Sequence, residues 1–514
     1  MKKIAASVSI LMLLSIAATG CSTNKNWSSA NQDLTNTRSA VNSDINLSNV
    51  SKLGPSWYLP IKGVSEWGAA STNPVIIGNI VYFQDLKSNV YAVDFKTGKQ
   101  LWMKVYNLDN AGPSGVAVGK DKVFAVKGRY EVAAMDLSGK EIWSVNLSNN
   151  QNVGIDIQPV VYNNMVFVST VPGVSNENFY KGGSVGIIYA LDQSTGKTLW
   201  SFDTVDSKDI WGNPQVNSGG GAWYPPAIDS ATGIMYWGIG NAGPWPGTPQ
   251  FPNGSSRPGD NLYSSSIIAL NSSDGKLVWY NQVKPHDLFD HDFQISPILA
   301  TVKINGADQD VVIGAGKMGK VVAFDRKTGK TLWSTDVGTH SNDTLTELPQ
   351  GVTEVSPGPL GGVETVMAYS AGIVYVPFVD MTVQYTPSEF VASSFNLAAA
   401  KGGFAAIDAA TGKIMWTKQF DSMNVGGATV VNDLVFTSTY NGKIFAFNRT
   451  TGEQVYEYAA PGGINGWPAV SGDTIIFPVG IGQTPMLLGL KIGGTTTVPG
   501  GEIITPGPGK GFQQ

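Results

Sequence analysis

Three stretches of this 514-residue chain concentrate side chains able to do chemistry. The first, SGGGAWYPPAIDSATGIMYWGIGNAGPWPG at 218–247 and RPGDNLYSSS at 257–266, carries Trp223 and Asn241. The second, PHDLFDHDF at 285–293, holds Asp287, Asp290 and Asp292 with His286 and His291. The third, GAGKMGKVVAFDR at 314–326, holds Lys317. An indole can support a planar ligand by stacking. An amide oxygen and carboxylates suit a hard cation, and an ammonium group answers negative charge that develops on a bound oxygen. Each residue also has a plain structural role open to it. Trp223 could be a core tryptophan, Asn241 a turn residue beside glycine, Asp292 a solvated loop residue and Lys317 an exposed lysine in a turn. A metal-dependent hydrolase would need a paired catalytic motif, and none is present.

These stretches interrupt a repeat that must position them. One pattern occurs seven times: YAVDFKTGKQLW at 91–102, VAAMDLSGKEIW at 132–143, YALDQSTGKTLW at 189–200, IALNSSDGKLVW at 268–279, VAFDRKTGKTLW at 322–333, AAIDAATGKIMW at 405–416 and FAFNRTTGEQVY at 445–456. Each reads as two alternating strands joined by a tight turn whose glycine supplies a positive φ, with the closing aromatic packing between neighbouring units. Copies one and two, and six and seven, start about 40 residues apart, the length of a four-stranded propeller blade. The expected fold is therefore all-β, an eight-bladed β-propeller with four-stranded blades. Trp57 has no repeat before it and MLLGLKI at 486–492 has none after it. Pairing these N- and C-terminal strands would close the ring and leave no long edge exposed.

Composition narrows the function. There are 34 Lys+Arg against 39 Asp+Glu and no basic run, so nucleic acid is not an expected partner. A single Cys cannot hold an iron–sulfur cluster or attach a c-type haem. Residues 1–21, MKKIAASVSILMLLSIAATGC, read as a signal peptide whose end is similar to a lipobox, with Cys21 as the lipidated residue. The remaining expectation is a tether and lead-in at 22–45, the propeller at 46–492 and a mobile Gly/Pro-rich tail at 493–514. The body would be exported and held by lipid at the outer face of the cell membrane or on the periplasmic side.

Repeat and loops together resemble the pyrroloquinoline quinone (PQQ)-dependent alcohol dehydrogenases, eight-bladed quinoproteins, over roughly residues 27–492. The resemblance implies that Trp223 supports the quinone. Gly240-Asn241-Ala242-Gly243-Pro244-Trp245 would be the family's Gly-Asn-x-x-Pro-Trp, with Asn241 a metal ligand. In Pro285-His286-Asp287-Leu288-Phe289-Asp290, Asp290 would be the catalytic base and a metal neighbour, taking the substrate hydroxyl proton while hydride leaves the adjacent carbon. Asp292 matches an additional carboxylate ligand of lanthanide-using members, Lys317 the cation at the quinone oxygens, and Glu177 the remaining metal ligand. Ser114, Asp380 and Trp467 fall at cofactor-contact positions. Ser114 stands where an Arg is expected, Asp380 where an Asn is usual, and the adjacent cysteines that form a lid over the quinone are missing. The implied cofactors are PQQ and Ca²⁺ or a lanthanide ion. The implied substrate is a small alcohol, polyols and sugar alcohols included, and electrons would pass to a separate cytochrome, copper protein or membrane component. The competing expectation is a non-catalytic binding or scaffold lipoprotein similar to those of outer-membrane barrel assembly.

Overall fold

The structure is a computed structural model that describes residues 26–65, 67–172 and 182–500. Among these residues the chain is all-β, its helices limited to short 3₁₀ turns such as Val50–Lys52 and Ala392–Ser394. Each repeat forms the third and fourth strands of an antiparallel sheet. In one such sheet, Val75–Ile77, Ile80–Gln84, Val90–Asp94 and Gln100–Lys104 follow in order. The first strand here is three residues long and mostly buried, whereas fourth strands face solvent on alternate residues, as in Glu141–Asn146. First strands of successive sheets, such as Ala227–Asp229 and Ile298–Ile304, lie side by side.

The closing tryptophans hold sheet to sheet. A Cβ added to Gly98, Gly139, Gly196, Gly275, Gly329, Gly412 or Gly452 would come within 2.4–2.8 Å of the indole of Trp57, Trp102, Trp143, Trp200, Trp279, Trp333 or Trp416 respectively. All seven glycines have positive φ, so the turn and the docking surface both require glycine. Each indole Nε1–H also donates to a carbonyl in the turn it covers, at 2.9–3.3 Å. Tyr456, which ends the seventh repeat, donates its hydroxyl to the Leu53 carbonyl at 3.1 Å. Leu53–Pro60 in turn pairs antiparallel with Met486–Ile492 as the fourth strand of the Ala469–Ser471, Thr474–Val479 sheet.

The described part of the lead-in is built into the body. Its backbone bonds Ile76, Ile228, Leu299, Tyr369 and Val430 in turn, on the first strands of five sheets. Arg38 is fully buried there. Its guanidinium donates to the carbonyls of Ala428 and Pro468, the Thr429 hydroxyl and the Asn31 amide oxygen, and lies over the Trp27 ring. At the other end of the chain, residues 493–496 run back along the first strand, Gly493 donating to the Lys52 carbonyl and Thr496 to that of Pro55. The expected mobile tail therefore starts with an ordered segment, while 501–514 and the Cys21 region lie outside the described residues.

Candidate active site

The 285–293 loop is fixed from below by charge and from above by apolar packing. Lys284 Nζ lies 3.1 Å from Asp287 Oδ1 and 2.6 Å from His291 Nδ1, and donates to the Asp343 carbonyl at 2.9 Å. Asp287 accepts the backbone N–H groups of Phe289 and His291, which makes the turn. Burial alone would raise the Asp287 carboxyl, but Lys284 and the loop N–H groups pull it down to about 2. Burial and Lys284 hold the His291 imidazole neutral, near 3. Its Nδ1 therefore accepts from Lys284 while Nε2–H donates to the Pro357 carbonyl at 2.9 Å. Phe289 packs under Tyr385, whose hydroxyl donates to the Phe289 carbonyl. Held this way, Asp290 adopts φ +63 and turns its carboxylate inward.

There it meets the other predicted residues. Lys317 Nζ lies 2.8 Å from Asp290 Oδ2 and 2.8 Å from Asp292 Oδ2. Asp292 Oδ1 accepts the Asn241 backbone N–H at 2.6 Å. A Cβ on Gly240 would sit 2.7 Å from the Trp223 Nε1 and 2.8 Å from Asp292 Oδ1, so the Gly-Asn pair brings indole and carboxylate together. Asp292 is fully buried and Lys317 8% exposed, which removes the solvated-loop reading of both. Burial drives the Asp290 carboxyl upward and Asp292 adds to this, whereas the Lys317 ammonium opposes it. Arg257, also fully buried, ties the loops to each other: its guanidinium donates to the Pro244 carbonyl at 3.0 Å and the Asp287 carbonyl at 2.5 Å.

A cavity of roughly 230 Å³ adjoins this cluster; its lining includes the polar groups of Tyr224, Glu364, Thr365, Asn465 and Trp467 and the apolar side chains of Leu360, Leu397, Met423 and Val425 with Trp67. Trp467 packs on Tyr224 with ring centroids 5.6 Å apart. Three of its lining residues hold buried polar atoms without a hydrogen-bond partner, Trp467 Nε1, Thr365 Oγ1 and Glu364 Oε1, as do Trp223 Nε1, Ser114 Oγ and Asp156 Oδ1 elsewhere in the described residues. Desolvation in the interior is costly for such atoms unless something answers them. Indole and hydroxyl donors fit a flat, carboxylated quinone. The oxygens of Asn241, Asp290 and Asp292 fit a hard cation. Among the described residues no three of His, Cys, Asp and Glu form a complete ion cage. Asn241 is outside that residue set, and Glu177 lies outside the described residues.

Asp380 Oδ1 accepts the Thr339 N–H at 2.7 Å, a bond to the backbone of a neighbouring turn. Asp156 and Glu364 were not expected. Their signals were a lone acid inside the mostly apolar VGIDIQPVV, and an acid directly after GGV. Asp156 donates nothing to strand pairing but its carbonyl takes the Ser114 N–H at 2.6 Å. Arg257 was inside a quoted loop but had no assigned role.

Fold and site together define a buried Asp–Lys–Asp cluster and an adjoining cavity carried by repeated four-stranded antiparallel sheets. The profile of the glucose/ethanol/alcohol dehydrogenase β-propeller domain matches residues 27–344, and a BamB outer-membrane assembly factor profile matches residues 390–485. The chain is 29% identical to the quinoprotein alcohol dehydrogenase PedH of Pseudomonas putida, over 82% of this chain and 80% of that one. It is 26% identical to a lanthanide-dependent methanol dehydrogenase of Methylorubrum extorquens, over 84% and 82%. The solved quinohemoprotein alcohol dehydrogenase of Comamonas testosteroni superposes with a TM-score of 0.81 at 24% identity, covering 92% of this chain and 82% of that one, a likeness of fold. The chain belongs to the PQQ-dependent alcohol dehydrogenase family, whose cofactors are PQQ and calcium or a lanthanide ion.

Proposed function

We propose that this protein is a PQQ- and metal-dependent dehydrogenase that oxidises an alcohol to a carbonyl. The observation that carries the reading is Lys317 bridging Asp290 and Asp292 beside Asn241 and Trp223, against a cavity whose polar atoms lack partners. When bound, PQQ supplies the two-electron acceptor and the metal a Lewis acid. Asn241, Asp290 and Asp292, with Glu177, would hold the metal, and Trp223, Trp467, Ser114 and Lys317 the quinone. Asp290 accepts the hydroxyl proton of the substrate; its free Oδ1 is the oxygen available for that task. Lys317 supplies positive charge beside the reacting oxygens. The apolar wall of Trp67, Leu360, Leu397, Met423 and Val425 suits an alcohol with a hydrocarbon chain better than a polyol.

Several finer points belong to the same reading. The sheets form an eight-bladed ring closed by the terminal strands, supported by the Leu53–Pro60 pairing with Met486–Ile492 and by the Tyr456 bond to Leu53. Electrons leave to a separate cytochrome, copper protein or membrane component, because one Cys allows no c-type haem in the chain. The signal-like leader and Cys21 support an exported, lipid-anchored protein. A scaffold protein would have no use for a buried Asp–Lys–Asp cluster. The test is a dye-linked assay of purified protein loaded with PQQ and either Ca²⁺ or La³⁺, across alcohols of increasing chain length. Turnover should fall by about 10²–10⁴ in Asp290→Asn, the usual scale for loss of a general base. Equal activity in wild type and Asp290→Asn would overturn the assignment.

A further inference from the structure

Two acids are not used by this mechanism: Glu364, which lines the cavity, and Asp156, whose backbone carbonyl accepts the N–H of Ser114 next to the lining residue Pro113. Asp156 is 3% exposed and its Oδ1 has no partner. Glu364 lines the cavity with its Oε1 likewise unpartnered among the described residues, while its Oε2 accepts a long bond, 3.5 Å, from Gln294 Nε2. Among the described residues the cation that acts on both is Lys317, which already bridges Asp290 and Asp292. Beside them, Ser114 stands where a cation for the cofactor carboxylates is expected, its hydroxyl buried and unpartnered. Left ionised, two more carboxylates here would repel an anionic ligand. As neutral acids each becomes an O–H donor, the one carboxyl form that attracts a carboxylate.

We propose that Asp156 and Glu364 are binding residues that hold the carboxylates of the anionic, planar quinone as neutral carboxylic acids, in place of a cation. The inference rests on the quinoprotein reading. Burial agrees with it, pushing both groups up to about 8 against the pull of Lys317. The groups that face them are few. Asp156 faces Lys317 and the Tyr224 hydroxyl, and Glu364 faces Lys317, Asp292 and the same Tyr224. A ligand that needs the protonated acid binds well below the acid's pKa and is lost as pH rises through it.

The experiment is equilibrium binding of PQQ to the purified chain in saturating Ca²⁺, followed by tryptophan fluorescence from pH 6 to 9.5. Wild type, Asp156→Asn, Glu364→Gln and the double variant are compared, since an amide keeps an N–H donor but cannot ionise. Wild-type affinity should weaken about tenfold per pH unit above about 8 for each acid involved. The double variant should match wild type at pH 6 and stay flat to pH 9. A flat wild-type profile overturns the inference alone, as does a tenfold loss in the amide variants at pH 6, which would mark the acids as metal or proton acceptors. Absence of PQQ binding in every variant at every pH overturns the quinoprotein reading and this inference with it.

Discussion

Lys317 is the residue on which the local electrostatics turns. Its ammonium is 2.8 Å from a carboxylate oxygen on each of two aspartates, and all three groups are buried. A buried charge persists only when paired, so removing Lys317 leaves two facing carboxylates with no cation. Such a pair is a better site for an added cation and a poorer one for a reaction that builds negative charge nearby. Lys317→Met should therefore bind La³⁺ at least as tightly as wild type, by titration calorimetry. Its kcat should fall by about 10²–10³, the scale seen when one charge-stabilising donor is removed. A lysine that serves only packing would lower both or neither.

At the scale of loops and strands, Arg257 sets how the catalytic pieces meet. It joins the carbonyl of Pro244, in the loop of Asn241, to that of Asp287, in the loop of Asp290. Arg257→Met keeps much of the volume but strips two buried carbonyls of their donor. Metal affinity should drop about 10–100-fold, as for other residues that orient ligands from behind, with the circular dichroism spectrum unchanged. The outer hairpins answer to a different constraint. Gly275 has φ +71 with the Trp200 ring 2.5 Å from where a Cβ would be, so Gly275→Ala should lower stability by about 1–3 kcal/mol in urea unfolding without changing kcat. The contrast explains what was legible in the sequence. Glycine, turn and closing aromatic recur seven times at fixed spacing, so the hairpins and their docking could be read directly. Asn241, Asp290 and Lys317 were legible through motifs. Asp156, Glu364 and Arg257 take their surroundings from neighbours distant in sequence, which local spacing does not encode.

Across the whole molecule, acids fall into two populations with opposite effects on stability. In the outer turns, Asp94, Asp192 and Asp325 accept first from the threonine hydroxyl of the turn and then from backbone N–H groups, which lowers their pKa. Groups lowered in the folded state add stability above about pH 4 and lose it as pH falls further. Around the central cavity, burial raises Asp156 and Glu364 to about 8. Below about pH 4 these two are protonated whether the chain is folded or not. Between about 4 and 8 the unfolded chain ionises them and the folded one does not, so stability declines across that window and levels off above it. The cofactor-free protein should accordingly show its highest Tm near pH 4–5, with a fall on both sides. Asp156→Asn, whose amide has no proton to lose, should leave the acid limb untouched and flatten the descent toward pH 8, because it removes one of the rising groups. Calorimetric scans of wild type and variant at half-unit steps from pH 3 to 9 measure both limbs. A descent equally steep in the variant would mean that the folded protein tolerates an ionised Asp156, and the central cavity would then be more polar than its unpartnered atoms indicate.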